Sequence, residues 1–418
     1  MRPKVLAFFS GAGFLDLGFE AAGFEVVFAN ELRPSFLAGH QFARKQMGLG
    51  EPQFGYSGNS IVDFLESPIL RQHLGEMVNS AKQSGEFVGF IGGPPCPDFS
   101  VGGKNKGKEG ENGKLSATYI DLICAQKPDF FLFENVKGLW RTKQHRAFYE
   151  ELKLKLRKVG YALSEMLINS LRFGVPQERE RIILVGVRAK PDNEPILDAM
   201  VLEFPWWRYA PYTAQDIAKV PWPSATPFAP AELIRPSKVP LRLTVGHWFA
   251  KNDVENHPNG RHCFQPRAGL SRFETVDEGD DSRKSFKRLH RWRYSPTACY
   301  GNNEVHLHPY KPRRISVAEA LAIQSLPKEF SLPPSMTLSD MFKTVGNGVP
   351  YLAAKGLASG FIDFLKEYDD KINSVRHPKG NRSTTKGSRI QLFKPQDYDE
   401  DLDRQSNAPG RPNSYQAL

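Results

Sequence analysis

The sequence VLAFFSGAGFLDLGF, at residues 5–19, decides the fold class. It begins as an apolar run typical of a buried strand, turns through small residues at 10–13, and continues as an amphipathic helix from Phe14. A strand that leads through a glycine turn into a helix is the opening unit of a doubly wound α/β sheet. Small residues in such a turn let backbone amides approach a ligand. The turn predicts a nucleoside-containing cofactor, and by itself leaves a dinucleotide and S-adenosylmethionine open.

Strand-like and helix-like stretches alternate through the first part of the chain. Apolar strand-like runs recur at residues 25–29, 87–91, 130–133 and 182–187. Amphipathic stretches predict helices at residues 14–22, 61–74, 119–126 and 147–159. This alternation predicts a mostly parallel sheet with helices on both faces, which we assign to a catalytic and cofactor-binding domain at residues 1–187.

The sequence pattern changes after residue 187, where the alternation of strand-like and helix-like stretches ends. Residues 188–335 contain many prolines, tryptophans and polar turns, and predict a second, smaller and irregular domain. Residues 336–368 predict a C-terminal helix that returns to the first domain. Residues 369–418 predict a disordered tail, since residues 371–394 carry seven Lys or Arg and no acidic residue.

The composition excludes several classes of protein. No apolar run in the 418 residues is long enough to span a bilayer, and no signal peptide is evident, so we expect a cytoplasmic, nucleoid-associated protein without a membrane partner. The four cysteines are scattered without a C-x-x-C pair, which argues against a disulfide framework and a metal site. The net charge of +10 favours a polyanion such as nucleic acid, although the charge alone is a weak signal.

A rigid cysteine loop follows the strand predicted at residues 87–91. It reads GGPPCPDFS at residues 92–100, and its prolines stiffen the backbone around Cys96. A lone cysteine is usually an inert small hydrophobe. Here the thiol follows a strand end in a polar loop, where doubly wound folds put their active sites, which favours a nucleophile. Residues 101–113 are rich in Gly and Lys and predict a mobile lid over an anionic substrate, with a plain surface loop as the alternative.

Three weaker motifs complete the pattern. Glu134, in the sequence FENV at 133–136, is a carboxylate at a strand end that could act as a general acid or hydrogen-bond partner. Arg179 and Arg181, in QERER at 177–181, could meet a phosphate or a base carbonyl, although a solvated charge run explains them equally well. The sequence GNGVP at 346–350 precedes the last helix and could be an ordinary helix start.

The order of these motifs is more specific than any one of them. Taken along the chain, each at the end of a strand or helix, they resemble the DNA cytosine-5 methyltransferase family motif by motif. The resemblance covers residues 5–187 and about 291–365, and the segment RRISVAE at 313–319 is similar to the family's remaining large motif. It implies a Rossmann-like fold that binds S-adenosylmethionine, and a recognition domain within residues 188–335 that reads double-stranded DNA.

The resemblance also implies a role for each matching residue. Cys96 corresponds to the nucleophile, Glu134 to the group that hydrogen-bonds the cytosine ring, and Arg179 and Arg181 to the arginine pair beside it. The cofactor-binding positions are Phe9, Ser10, Gly11, Gly13, Leu15, Glu31, Ser60, Ile61, Asn347 and Val349. Among these, Phe9 is expected to stack on the adenine and Glu31 to accept the ribose hydroxyls.

Two positions depart from the family pattern. Many relatives have Gln after the nucleophile, where this chain has Pro97. The family usually places an Asp before an Ile to contact the adenine amine, and here the pair is Ser60-Ile61, with Asp63 as a substitute. The compact chain resembles prokaryotic modification enzymes, which implies a monomer paired in function with a restriction endonuclease.

Three other functions remain open from the sequence. A tRNA cytosine methyltransferase shares these motifs, and the aromatic-rich insert of about a hundred residues favours duplex DNA instead. A catalytically dead adenosylmethionine-binding regulator would have no reason to keep Cys96, Glu134 and Arg181. A nicotinamide oxidoreductase would need G-x-G-x-x-G, which the turn lacks.

Overall fold

The computed structural model describes residues 2–95, 111–141, 143–189, 197–198, 200–201, 203–229, 233–266, 270–283, 285–297, 300 and 305–376. Cys96, residues 101–110 of the predicted lid and residues 377–418 of the predicted tail lie outside the described residues. None of the helices in the described part is long and apolar enough to cross a membrane.

Seven strands form one sheet. They are β1 (Lys4–Phe8), β2 (Glu25–Asn30), β3 (Tyr56–Ser57), β4 (Val88–Gly92), β5 (Phe130–Val136), β6 (Tyr161–Asn169) and β7 (Glu180–Arg188). Their order across the sheet is β3-β2-β1-β4-β5-β7-β6. The pairs among β1 to β5 are parallel, and β7 runs antiparallel to both β5 and β6. The prediction of a mostly parallel sheet is therefore confirmed, as are its five predicted strands.

Thirteen α-helices lie in the described residues. They are α1 (Phe14–Ala22), α2 (Pro34–Gln46), α3 (Asp63–Glu66), α4 (Pro68–Lys82), α5 (Glu111–Gln126), α6 (Lys137–Arg141), α7 (Lys143–Lys158), α8 (Ala214–Ala218), α9 (Val245–Lys251), α10 (Leu270–Thr275), α11 (Val317–Ile323), α12 (Leu338–Asn347) and α13 (Tyr351–Arg376). Two 3₁₀ helices, Ser170–Phe173 and Leu241–Leu243, connect neighbouring segments.

Strand β1 shows why the sheet is covered on both faces. Val5 and Ala7 point into one apolar core, which includes Phe361 of α13. Leu6 and Phe8 point into the other, which includes Leu74 of α4. Side chains alternate between the faces of a strand, so a run that is apolar at each position from Val5 to Phe8 must be buried on both faces.

The prediction of a second domain at residues 188–335 is not confirmed, since residues 1–373 form one compact unit. A third apolar core explains this. Phe14 of α1 and Phe36 of α2 are buried together with Trp248 of α9 and Leu321 of α11. The irregular region therefore shares its hydrophobic core with the helices that follow β1 and β2, rather than enclosing one of its own.

Several predicted boundaries need correction. The expected helix at 61–74 is two helices, because Pro68 begins α4 and the Ser67 hydroxyl accepts a hydrogen bond from the Leu70 amide at 3.4 Å. Residues 111–113 of the predicted lid belong to helix α5. Residues 336–368 hold two helices rather than one, and the second, α13, continues to Arg376 through the start of the predicted tail.

Candidate active site

The glycine turn after β1 has a left-handed backbone at three positions. Phe9, Gly11 and Gly13 have φ angles of 54°, 55° and 86°. Glycine adopts such angles freely, whereas a phenylalanine there is strained and persists only where its surroundings hold it. Tyr119 provides part of that support, with its ring edge-on to Phe9 at 5.8 Å between centroids. Leu15, the second residue of α1, belongs to the apolar core that contains Val5 and Ala7.

Glu31 closes the turn from the end of β2. Its two carboxylate oxygens accept hydrogen bonds from the Gly11 amide at 2.9 Å and the Arg33 amide at 2.8 Å. Burial raises the pKa of this carboxyl, and the two amide bonds oppose that rise. An ionised carboxylate has about four acceptor sites, so both oxygens keep capacity for ribose hydroxyls.

The predicted adenine-contacting pair, Ser60-Ile61, follows a segment that is hydrogen-bonded to the end of β2. The Asn30 side-chain amide donates to the Ser57 and Asn59 carbonyls at 3.1 and 2.9 Å, which fixes the segment leading to Ser60. The Ser60 amide donates to the Asp63 carboxylate at 2.9 Å, and Ile61 is buried in the core. Asp63 thus holds the start of α3.

The end of α12 packs against the glycine turn. Thr344 Oγ1 lies 3.5 Å from where a Cβ on Gly11 would stand, and a Cβ on Gly348 would lie 2.2 Å from the Phe14 ring. Asn347 is the last residue of α12, and Val349 is buried in the core that contains α1. The first and last predicted cofactor motifs therefore meet, although more than 300 residues separate them.

Glu134 and Arg181 form an ion pair at the edge of β5 and β7. Arg181 Nε lies 2.9 Å from Glu134 Oε1, and the two side chains are only 15% and 10% exposed. Glu134 pairs with Ile183 across the two strands, so Arg181 is its diagonal neighbour on the same face. The antiparallel direction of β7 brings together these two groups, which lie 47 residues apart in sequence.

The backbone that leads to Cys96 passes directly against this ion pair. A Cβ on Gly93 would lie 2.6 Å from Glu134 Oε2. Gly93 follows β4, and Cys96 comes three residues later. Glu134 Oε1 therefore faces Arg181, and Glu134 Oε2 faces Gly93 at the start of the cysteine loop.

Arg179 has a different position from Arg181. It is 1% exposed, and its Nη2 donates to the Asn347 carbonyl at 3.4 Å. Its own carbonyl accepts from the Ser170 amide at 3.0 Å. The Arg179 side chain therefore reaches from the QERER segment to the end of α12, whereas the Arg181 side chain pairs with Glu134.

Strand order explains why these groups converge. The chain goes from β1 to β2 on one side and reaches β4 on the other. Doubly wound folds bind ligands in the crevice where the strand order reverses, at the carboxyl ends of the strands. The glycine turn after β1 and Gly93 after β4 border that crevice.

Replacing Gly93 with alanine is expected to lower kcat with little change in cofactor affinity. The added methyl group would lie 2.6 Å from the Glu134 carboxylate and force it or the cysteine loop to move. Methyl-transfer kinetics and calorimetry with S-adenosylmethionine measure both effects. Gly50→Ala is the matched control, because no atom lies within 4 Å of a Cβ there. Parent-like turnover in Gly93→Ala would contradict this geometry.

The sequence did not predict a buried pair, Asp16 and His40, that lies beneath the glycine turn. His40 Nε2 of α2 lies 3.6 Å from Asp16 Oδ2 of α1, and the side chains are 2% and 1% exposed. The His40 ring fills the space of a Cβ on Gly13, 2.5 Å away. Burial, and next the Glu20 carboxylate, raise the pKa of Asp16 to about 7, while burial lowers the pKa of His40 to about 3. No periodicity links residues 24 positions apart on two helices.

Asp16 gives folding stability a definite dependence on pH. Between its ordinary value of 3.8 and about 7, the folded state keeps the Asp16 proton and the unfolded state loses it, so Asp16 reduces stability as pH rises. We expect the stability of Asp16→Asn, minus that of the parent, to increase by roughly 2 kcal/mol from pH 5 to pH 7 and then level off. Urea unfolding across this range tests the expectation. A difference that stays constant with pH would refute it.

Comparison with known proteins identifies the family of the chain. Residues 4–362 match the family model described as C-5 cytosine-specific DNA methylase. The chain is 54% identical, over 373 residues, to the Type II methyltransferase M.NmeDI of Neisseria meningitidis serogroup C, a match that covers 89% of this chain and 86% of that protein. The chain belongs to the C-5 cytosine-specific DNA methylase family. As a member of this family it is a DNA cytosine-5 methyltransferase, and the family uses S-adenosylmethionine as its methyl donor.

More distant relatives agree with this family membership and with the fold. The chain is 29% identical to the Type II methyltransferase M.MthTI of Methanothermobacter thermautotrophicus, with 86% of this chain and 96% of that protein covered. Among solved structures, a putative DNA modification methyltransferase from an E. coli prophage matches with a TM-score of 0.57 at 21% identity, covering 88% of this chain and all of that one. The S. pombe Dnmt2 methyltransferase matches with a TM-score of 0.54 at 14% identity, covering 87% and 99%. The two solved structures therefore share the fold of this chain over most of its length.

Proposed function

We propose that this methylase modifies a cytosine flipped out of double-stranded DNA, through a covalent bond between Cys96 and the cytosine ring. The observation that carries the proposal is the Glu134–Arg181 ion pair, with its carboxylate against Gly93 three residues before Cys96. The Glu134 carboxylate and the Arg181 guanidinium, both nearly buried, lie beside the backbone that leads to the Cys96 thiol. This is the set of groups that activation of a cytosine ring needs.

Cys96 is the nucleophile in this proposal. Carbon 5 of cytosine is a poor nucleophile, and addition of the Cys96 thiolate to carbon 6 makes carbon 5 electron-rich. Two other cysteines, Cys124 and Cys263, lie in the described part of the chain. Burial raises the pKa of the Cys124 thiol to about 11, so that side chain supplies almost no thiolate at neutral pH.

Glu134 and Arg181 stabilise the activated ring. Glu134 accepts a hydrogen bond from the exocyclic amine and, when protonated, donates its proton to ring nitrogen 3 as the thiolate adds, while Arg181 neutralises charge at the ring carbonyl. The ion pair sets the orientation of the carboxylate before the base arrives, since Arg181 holds Oε1 and leaves Oε2 toward the cysteine loop. Loss of the proton on carbon 5 then lets the cysteine leave. A preorganised pair of this kind avoids reorganisation during the reaction.

The residues around the glycine turn fit S-adenosylmethionine. The cofactor supplies a methyl group on a sulfonium centre when it is bound. Glu31 keeps acceptor capacity for two ribose hydroxyls beside its two amide bonds. The buried Thr344 Oγ1 has no hydrogen-bond partner among the described residues and lies against Gly11, so it suits a polar group of the ligand. Phe9 offers an aromatic face for the adenine, Asn347 ends the helix that packs against the glycine turn, and Ser60 lies at the start of α3, where its amide donates to Asp63.

Base flipping follows from the position of the site. Gly93 and Glu134 lie at the ends of β4 and β5 inside a crevice, and Glu134 is 7% exposed. A base stacked within a duplex cannot reach such a carboxylate, so the target nucleotide must leave the helix. The flanking sequence is then read by residues 188–335, where the charges nearly balance, with fifteen Lys or Arg and thirteen Asp or Glu at 188–289.

We further propose that the enzyme acts as a monomer in the cytoplasm, at the nucleoid, as the modification partner of a restriction endonuclease. Similarity to Type II methyltransferases over 89% of the chain supports this role. Bisulfite sequencing of DNA from cells that express the chain tests activity and target site together, with RNA from the same cells sequenced in parallel. Methylated cytosine at one DNA sequence is expected. Methylation confined to tRNA would contradict the proposal.

A further inference from the structure

An exposed isoleucine stands out in the irregular region. Ile234 is 95% exposed, the highest value among the exposed large apolar side chains of the described residues. Burying an isoleucine side chain gains about 1.5–3 kcal/mol, so a fully exposed one suits a surface that a partner covers. Two cations, Arg235 and Lys238, follow it and are also exposed.

The segment that carries Ile234 is firmly held. Trp292 Nε1 donates to the Leu233 carbonyl at 3.0 Å, directly before Ile234. Arg291 Nη2 donates to the Ala229 carbonyl at 3.3 Å. Arg291 is itself fixed by the fully buried Glu278, with Nη2 2.8 Å from Oε2. The residue directly before Ile234 is therefore anchored on a base formed by Trp292, Arg291 and Glu278, which lowers the entropy lost when Ile234 makes a contact.

The same base connects to the catalytic strand. Three residues after Trp292, the Ser295 amide donates to the Pro176 carbonyl at 2.8 Å, and the Ser295 carbonyl accepts from the Glu178 amide at 2.9 Å. Glu178 lies three residues before Arg181. Three residues span at most about 11 Å, so Trp292 and Arg181 each lie within that distance of this junction. These bonds join the segment that carries Trp292 to the segment that leads into Arg181, so the Ile234 segment and the catalytic strand belong to one connected part of the fold.

The charges around Ile234 match a polyanion. Neither Arg235 nor Lys238 forms an ion pair with another residue that the structure describes, so both can neutralise phosphates. An exposed apolar side chain followed by two exposed cations suits the reading of a base edge, since the thymine methyl group is an apolar mark in the major groove. A protein partner would need a larger apolar area than one side chain provides.

We propose that Ile234 is a specificity-determining residue, which contacts a base edge next to the target cytosine while Arg235 and Lys238 bind the adjoining phosphates. The inference rests on the DNA methylation proposed above and extends it to a particular segment. It assigns sequence reading to Ile234 and sequence-independent affinity to the two cations.

A library of duplexes, with the base pairs around the target cytosine randomised, tests this assignment. Each variant methylates the library and bisulfite sequencing gives its preference at every position. For Ile234→Ala we expect about a tenfold loss of kcat/KM on the cognate sequence and a flattened preference at one flanking base pair. Ile69→Ala is the matched control, since Ile69 is 78% exposed on α4 and is expected to keep the parent profile.

Replacing the two cations, Arg235 and Lys238, gives a second and independent experiment. In the variant with both Arg235→Ala and Lys238→Ala, the slope of log K against log salt should fall in magnitude by about 2, with an unchanged base preference. An Ile234→Ala enzyme with the parent's rate and preference would overturn the inference, and so would a changed base preference in the double variant. A parent enzyme that methylates no duplex in the library would instead overturn the proposed function.

Discussion

Replacing Cys96 with serine is expected to abolish DNA methylation, with a loss of about 10⁴-fold or more in turnover. A serine hydroxyl is a far weaker nucleophile than a thiolate and does not add to carbon 6 of the ring. Affinity for S-adenosylmethionine should be unchanged, because the cofactor residues around Gly11 and Glu31 are a separate set. A methyl-transfer assay and calorimetry on the same preparation measure the two effects.

Cys124→Ser is the matched control for this variant. Its thiol is half-buried on α5 and burial raises its pKa to about 11, so we expect near-parent turnover after its replacement. Turnover of Cys96→Ser close to the parent rate would remove Cys96 from the mechanism. Loss of cofactor binding in that variant would mean that the cysteine loop and the glycine turn are not independent.

Replacing Arg181 with alanine is expected to reduce kcat by about 10²–10³-fold. The substitution removes a cation 2.9 Å from Glu134 and leaves that nearly buried carboxylate without its partner. Single-turnover methylation on saturating DNA isolates this effect from binding. Arg188→Ala is the control, since Arg188 lies at the far end of β7 and donates to the Val159 carbonyl.

A double-mutant cycle sharpens this prediction. If Glu134 and Arg181 act as one unit, Glu134→Gln and Arg181→Ala together should cost little more than either alone. Additive losses would show that the two side chains act separately and would contradict a shared role in stabilising the ring.

The sequence predicts the part of the fold that local patterns encode. Strands that are apolar at successive positions, such as β4, and a helix that follows a glycine turn, such as α1, carry strong local signals. Strand β6 was missed, because it is an edge strand whose middle is only partly buried and includes Ser164 and Glu165. Its polar side chains have partners elsewhere, since Ser164 accepts from Trp206 and Glu165 pairs with Lys153.

In the candidate site, too, the sequence did not predict contacts that depend on how distant elements pack together. Motif order placed Glu134 and Arg181 in one site, and the diagonal pairing of β5 with β7 explains why they meet. The sequence did not separate Arg179 from Arg181, because the bond from Arg179 to Asn347 depends on the packing of α12. The Asp16–His40 pair depends likewise on how α1 packs against α2.

DNA that carries 5-fluorocytosine at the target position tests covalent catalysis by Cys96 most directly. Addition of Cys96 to carbon 6 and methylation of carbon 5 do not require the substituent on carbon 5 to leave, whereas release of the cysteine does. Fluorine cannot leave as a cation, so the enzyme should remain covalently bound to DNA. We predict a slow-migrating protein–DNA band on a denaturing gel, which requires S-adenosylmethionine, is absent with S-adenosylhomocysteine, and maps to Cys96. A stable link at Cys124, Cys263 or Cys299, or no link with an otherwise active enzyme, would contradict this mechanism.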